Sequence, residues 1–389
     1  MSEITEVLTH YHSGDINLGI RRLLDYTLDT RDLTIFESTL AFIDWEEQHR
    51  ESSTSECHER LNNLVTKISK AKVVNTANTP LLVSLHSIGK TFPNFSLNEV
   101  SLEINSGELI GLVGENGNGK TTLLRMIAGD LNLSSGMINY HFIPNDASDY
   151  SIKSQLVYMP QRIPKWRGSV MDNLQFTLSC YGIKGEANRI WAELMIARLG
   201  LREFRQFKWS EISSGYKTRF ELAKVLLQQP KIILLDEPLA NLDINAQQTI
   251  LQDLKFLAQS KSNPFAVVLS SQQLYEVERI SDKVIFLKNG MPQYLNLQTA
   301  ANDTATAIEN ATPSIAIVYE LETNASKEAL QAAFSAHSLD QIHFNGGIYF
   351  LHFTATISNQ EVLHCLATAA IEVNYIRNIS NSSRRFFIN

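Results

Sequence analysis

Residues 108–129 read ELIGLVGENGNGKTTLLRMIAG. Leu109–Val113 is a short apolar run, the pattern of a buried strand. Gly114, Gly119, Lys120 and Thr121 then satisfy G-x-x-x-x-G-K-[ST]. Asn116, Gly117 and Asn118 complete the loop, Thr122 follows, and a helix is predicted over 121–128. Glycines let backbone N–H groups turn inward around phosphate oxygens, and the helix N-terminus adds partial positive charge. In that frame Lys120 reaches the β- and γ-phosphates and the Thr121 hydroxyl ligates magnesium. Strand, loop and helix in this order predict an α/β domain that binds a nucleotide together with Mg2+.

Two further runs extend the reading. KIILLDEP at 231–238 is a central parallel strand whose end releases Asp236 and Glu237. Asp236 is placed to hold the magnesium shell. Glu237, beside the γ-phosphate, can accept the proton of an attacking water and is the candidate catalytic base. AVVLSSQQ at 266–273 is another short β-branched run, ending in amides rather than in a titratable group.

These residues resemble the ATP-binding cassette ATPases, over about 82–298. Gln161, in VYMPQ, falls where that family has its Q-loop glutamine. ISSGYKTR at 212–219 occupies the place of the LSGGQ-type signature: Ser213 and Gly215 match, Ser214 replaces a glycine and Tyr216 the glutamine. LANLD at 239–243 matches the D-loop and ends in Asp243, and Phe92, in GKTF, is placed like the aromatic that stacks on adenine. Gln272 stands at the position of the switch histidine. Its amide can donate to a γ-phosphate but cannot become cationic.

The resemblance implies a P-loop NTPase cassette, a mixed sheet with helices and a helical subdomain. It implies ATP hydrolysis with Glu237 as base, Lys120 and Ser213 on phosphate charge, and Thr121, Asp236 and Gln161 organising magnesium. Two cassettes would close head to tail on ATP, so a second cassette is expected, as a homodimer. GSVMDNLQFTLSCYGI at 168–183 and YKTRFELAKVLL at 216–227 look most like the subgroup serving exporters whose multi-helix membrane permease is a separate chain. The rival expectation is a slow-hydrolysing, nucleotide-gated scaffold acting through its N-terminal domain.

Around the cassette the pattern changes. Residues 1–72 predict an all-α domain, with Ile16, Ile20, Leu23, Leu24 and Leu28 at helical spacing. VVNTANTP at 73–80 reads as a linker, and LQTAANDTATAIENATP at 297–313 as a second one. Each side of the first linker has its own apolar pattern, so the cassette is expected to fold without 1–72. Residues 313–389 alternate β-α-β-β-α-β, the ferredoxin-like plan.

The net charge of −7 predicts no nucleic-acid partner. Cys57, Cys180 and Cys365 are scattered and odd in number, which predicts free thiols rather than a zinc site. A polar N-terminus and the lack of a long apolar stretch predict a cytoplasmic protein, peripheral at the inner face of the plasma membrane.

Overall fold

A computed structural model describes residues 4–49, 54–71, 79–144, 149–240, 242–296 and 317–380. The expected linker at 297–313, and the one at 73–80 apart from residues 79 and 80, lie outside the described residues. The chain divides into two compact units, Met1–Gln272 with Leu287–Pro292, and Gln273–Phe286 with Gln293–Asn389.

The first unit begins with four helices, α1 (Thr5–His12), α2 (Ile16–Thr30), α3 (Leu33–His49) and α4 (Thr54–Ser69). Two of them, α2 and α3, start on side-chain oxygens. Asp15 accepts from the Leu18 N–H at 3.2 Å, and Asp32 accepts from the Thr34 N–H at 2.8 Å. Leu23 and Leu24 point inward, as their spacing predicts, and pack with Phe36, Ile43 and Leu61.

β1 (Leu81–Phe92) and β2 (Phe95–Asn105) form a hairpin closed by the Phe92–Phe95 pair. Next come β3 (Leu109–Val113), α5 (Lys120–Ile127) and β4 (Ser135–Tyr140), which pairs antiparallel with β1. Then follow α6 (Asp149–Gln155), β5 (Leu156–Met159), α7 (Val170–Cys180), α8 (Gly185–Arg198) and α9 (Ser214–Leu227). β6 (Ile232–Leu235), α10 (Ile244–Ala258) and β7 (Ala266–Ser271) complete the pattern.

β5, β6, β7 and β3 lie side by side, all parallel. β3, β6 and β7 are buried throughout, which is why they read as unbroken apolar runs rather than alternating ones. Register decides what meets at their carboxyl ends. Met159 pairs with Leu235, Leu235 with Leu269, and Val113 with Ser271. One residue further along, Asp236 is level with Ser270, and Gly114 with Gln272.

The N-terminal helices share their core with the cassette. Ile190 and Leu194 of α8 belong to the cluster of Leu23, Phe36 and Leu61. Phe36 packs edge-on against Trp191 at 4.8 Å. Arg198, 1% exposed, pairs with Asp25 of α2 and, at 3.1 Å, with Asp253 of α10. Removing residues 1–72 would strip α8 of apolar cover and leave a buried guanidinium short of one carboxylate.

The chain continues through α11 (Leu274–Ile280), β8 (Lys283–Lys288) and β9 (Met291–Asn296). Residues 317–378 run β10 (Ile317–Glu322), α12 (Lys327–Ala333), β11 (Leu339–Asn345), β12 (Ile348–Phe353), α13 (Asn359–Thr368) and β13 (Tyr375–Asn378). The four strands pair antiparallel in the order β11-β12-β10-β13. Their helix-side core holds Tyr319, Leu321, Leu330, Phe334, Leu351 and Phe353. The tight turn from β11 to β12 has Gly346 and Gly347 at φ of 61° and 103°, a conformation that β-branched residues resist.

Candidate functional site

The loop after β3 takes the shape its glycines allow. Gly114, Gly117 and Gly119 all have positive φ. At Gly114 the requirement is also steric, because a Cβ there would run into the Leu287 carbonyl oxygen. Gly119 precedes the first turn of α5, so the helix N-terminus opens onto the loop. Lys120 is 5% exposed, and its Nζ donates to the Gly114 and Glu115 carbonyls at 2.7 and 3.1 Å. Asn118 Oδ1 accepts from the Asn289 N–H at 3.0 Å, which ties the loop to the β8–β9 turn.

The carboxyl ends of β3, β6 and β7 bring a compact polar cluster together. Thr121 Oγ1 donates to Asp236 Oδ2 at 2.8 Å. Lys120 Nζ lies 3.4 Å from Glu237 Oε1. Gln161 Nε2 and Gln272 Nε2 both donate to Glu237 Oε2, at 3.4 and 2.8 Å. Glu237 itself has a φ of 47°, a left-handed conformation uncommon outside glycine. Thus Lys120, Thr121, Gln161, Asp236, Glu237 and Gln272 form one connected group. The Gln272 amide also holds the candidate base.

Two members of this group were not singled out from the sequence. Ser270 Oγ donates to Asp236 Oδ1 at 2.7 Å and accepts from the Glu237 N–H at 2.9 Å. Tyr158 OH donates to Asp236 Oδ2 at 3.1 Å. Burial, and then the Asp236 carboxylate, push the Tyr158 phenol well above its usual range, so it stays a donor. The signal for both was strand register: each lies on a strand beside β6, near its carboxyl end.

The remaining residues lie elsewhere. Ser213 caps α9, accepting from the Tyr216 N–H at 3.5 Å. Asp243 caps α10, accepting from the Ala246 N–H at 2.9 Å. A Cβ on Gly215 would sit 3.1 Å from Leu242 Cδ2, so the signature turn and the D-loop adjoin. Phe92 is exposed near the β1–β2 turn, with Lys90 Nζ 5.7 Å from its ring centre.

The donor set suits the expected cofactors. An inward-turned glycine loop, a buried lysine and a helix N-terminus fit a polyphosphate. A hydroxyl and a carboxylate 2.8 Å apart offer hard oxygen ligands of the kind magnesium takes. No group of three or more His, Cys, Asp or Glu side chains that could hold a metal occurs among the described residues.

Comparison with known proteins agrees. The ABC transporter family pattern matches residues 97–240. The chain is 30% identical over 197 residues to the ABC transporter ATP-binding protein NatA of Bacillus subtilis (strain 168), covering 50% of this chain and 79% of NatA. It is 33% identical over 199 residues to the taurine import ATP-binding protein TauB of Yersinia pestis bv. Antiqua (strain Antiqua), covering 51% and 76%. A solved ATP-binding cassette, in a dimeric post-hydrolysis state with ADP and Pi, shares 25% identity at a TM-score of 0.50, over 56% of this chain and 99% of that one. With its phosphate loop, its paired acidic residues and these relatives, the chain belongs to the ABC transporter ATP-binding proteins.

Proposed function

We propose that this ATP-binding subunit hydrolyses ATP with Glu237 as general base and thereby energises a multi-helix permease carried on a separate chain. The observation that carries the reading is the convergence of Lys120, Gln161 and Gln272 on the Glu237 carboxylate. A base must be held within reach of the water it deprotonates, and three donors fix this one. Magnesium, held by Thr121 and Asp236 with Gln161 nearby, would neutralise phosphate charge. Lys120 binds the β- and γ-phosphates, and Phe92 stacks on adenine.

Ser213, Gly215 and Asp243 are assigned to a second copy's nucleotide, in a head-to-tail homodimer. The Ser213 and Asp243 side chains cap their own helices, and the signature turn adjoins the D-loop, which supports one shared surface. The subunit works at the cytoplasmic face of the membrane. No helix among the described residues is long and apolar enough to cross a membrane. Residues 1–72 form an added helical domain and 313–389 a ferredoxin-like domain, as the strand order β11-β12-β10-β13 supports.

Export is the direction read from residues 168–183 and 216–227. Import is a second reading, favoured by the likeness to TauB. A slow-turnover scaffold is a third, favoured by the neutral Gln272. Identifying the permease that co-purifies from solubilised membranes separates the first two, and a soluble complex without a membrane protein favours the third.

Glu237→Gln tests the core of the proposal. It is expected to keep ATP affinity and to lose hydrolysis, because the amide cannot take a proton while Asp236 and the phosphate loop remain. Phosphate release at the parental rate would remove Glu237 as the base.

A further inference from the structure

A cavity of about 800 Å³ lies away from the nucleotide loop. Its walls come from α2 and α3, the end of α8 with the loop after it, the first turns of α9, and α10. The volume is in the range of small-molecule sites. Five arginines reach it: Arg21, Arg198, Arg202, Arg205 and Arg219. Four carboxylates, of Glu46, Glu47, Glu203 and Asp253, share the wall.

The pairing of the arginines is uneven. Arg198 is taken up by Asp25 and Asp253. Arg202 pairs with Asp44 and lies 3.5 Å from Glu47. Arg205 comes only within 3.8 Å of Glu193. Arg219 donates to the Leu199 carbonyl at a long 3.4 Å and stands over the Tyr216 ring. Arg21 lies 3.6 Å from Asp253 through Nη1, while its Nε, like Arg202 Nη1, is buried with no hydrogen-bond partner. A buried N–H without an acceptor is costly, and native proteins rarely keep one without a purpose. Guanidinium groups match carboxylate and phosphate oxygens in charge and geometry.

We propose that this cavity binds a small anion bearing a carboxylate or phosphate group, gripped by Arg202, Arg205 and Arg219. The site is built partly from the added N-terminal helices. It also touches Tyr216, the residue standing where the family has a glutamine. Tyr216 stacks on Phe204 at 3.9 Å and follows Gly215 directly. A ligand drawing on Arg219 and Tyr216 therefore bears on the turn that carries Ser213 and Gly215. Binding stands apart from the proposed ATPase chemistry; its effect on hydrolysis rests on that reading.

Calorimetric titration of the full chain with succinate and, separately, inorganic phosphate tests the site. Parent, Arg205→Ala, Arg219→Gln and Lys120→Ala are compared. The Arg205 side chain is 44% exposed, so its truncation leaves the fold intact. At least one probe is expected to bind the parent more tightly than about 1 mM. Each arginine variant is expected to weaken it about tenfold, the effect of one lost charge-assisted bond. Lys120→Ala is expected to leave it unchanged, which separates this site from the nucleotide loop. Which probe binds reports whether carboxylate or phosphate is preferred. Binding by neither probe overturns the proposal, as does binding lost in Lys120→Ala but kept in both arginine variants. If succinate is the probe that binds, succinate at its parental Kd is expected to change phosphate release by the parent and much less by Arg205→Ala. Equal release with and without it overturns the coupling to α9.

Discussion

Ser270→Ala removes a single oxygen that serves both Asp236 and the backbone of Glu237. Ser270 is fully buried, and its hydroxyl donates to Asp236 and accepts from the Glu237 N–H. Losing the bond to the carboxylate costs about 2 kcal/mol, and stranding the buried N–H about 1 more. The expected loss of stability is about 3 kcal/mol, a large change for one atom. Function should suffer as well. Glu237 occupies a left-handed backbone conformation that costs a non-glycine residue about 1 kcal/mol, and the Ser270 bond helps to offset it. Once the bond is gone the turn relaxes, and a shift of about 1 Å in the base lowers turnover about a hundredfold. Urea unfolding gives the stability term, steady-state phosphate release gives turnover, and direct titration gives ATP affinity, which is expected to hold because Lys120 and the glycine loop are untouched. A variant within about 0.5 kcal/mol of the parent and equally active would refute the assignment of Ser270 as the link between the Asp236 carboxylate and the Glu237 backbone.

Gln272→Ala is expected to slow hydrolysis more than it weakens ATP binding, since it frees Glu237 Oε2 from its 2.8 Å donor. Gln272→His keeps a donor and adds positive charge near the phosphates, and a gain of about 1.4 kcal/mol would raise turnover tenfold. If Gln273→Ala does the damage instead, the position assigned to the switch residue is off by one. Asp25→Asn is expected to cost about 3 kcal/mol, because Arg198 is buried and keeps only Asp253. Asp44→Asn, on the exposed side of the Arg202 pair, should stay within about 0.5 kcal/mol; equal losses in the two variants would deny the buried pair its special weight. Burial, and then the neighbouring His343, hold the His352 imidazole below its ordinary value. The folded chain therefore takes up this proton less readily than the unfolded one, and stability falls as pH drops through about 6.5. Thermal unfolding at pH 5.5 and 7.5 should show that fall, and His352→Gln should reduce it; an unchanged pH dependence would exclude His352 as its source.

Local sequence was enough for the nucleotide loop because the chemistry there is contiguous. Gly114 to Thr121 needs one turn of backbone and one helix start, and both are set by residues within a few positions of each other. The same holds for the buried parallel strands, whose apolar runs stand out, and for the C-terminal β-α-β-β-α-β order. Other features depended on register and on packing between distant segments. Ser270 and Tyr158 became part of the site because parallel pairing sets their strands beside β6, ends aligned with Asp236. Nothing local marks a serine after leucine or a tyrosine after valine as a partner for an aspartate. The N-terminal helices read as separate because their hydrophobic periodicity is complete in itself, and periodicity reports which face is buried, not against what. Only the tertiary structure set that face on Ile190 and Leu194. It also brought Asp25, Arg198 and Asp253 together from three separate helices, where burial turns three ordinary surface-type residues into a network that no single stretch of sequence contains.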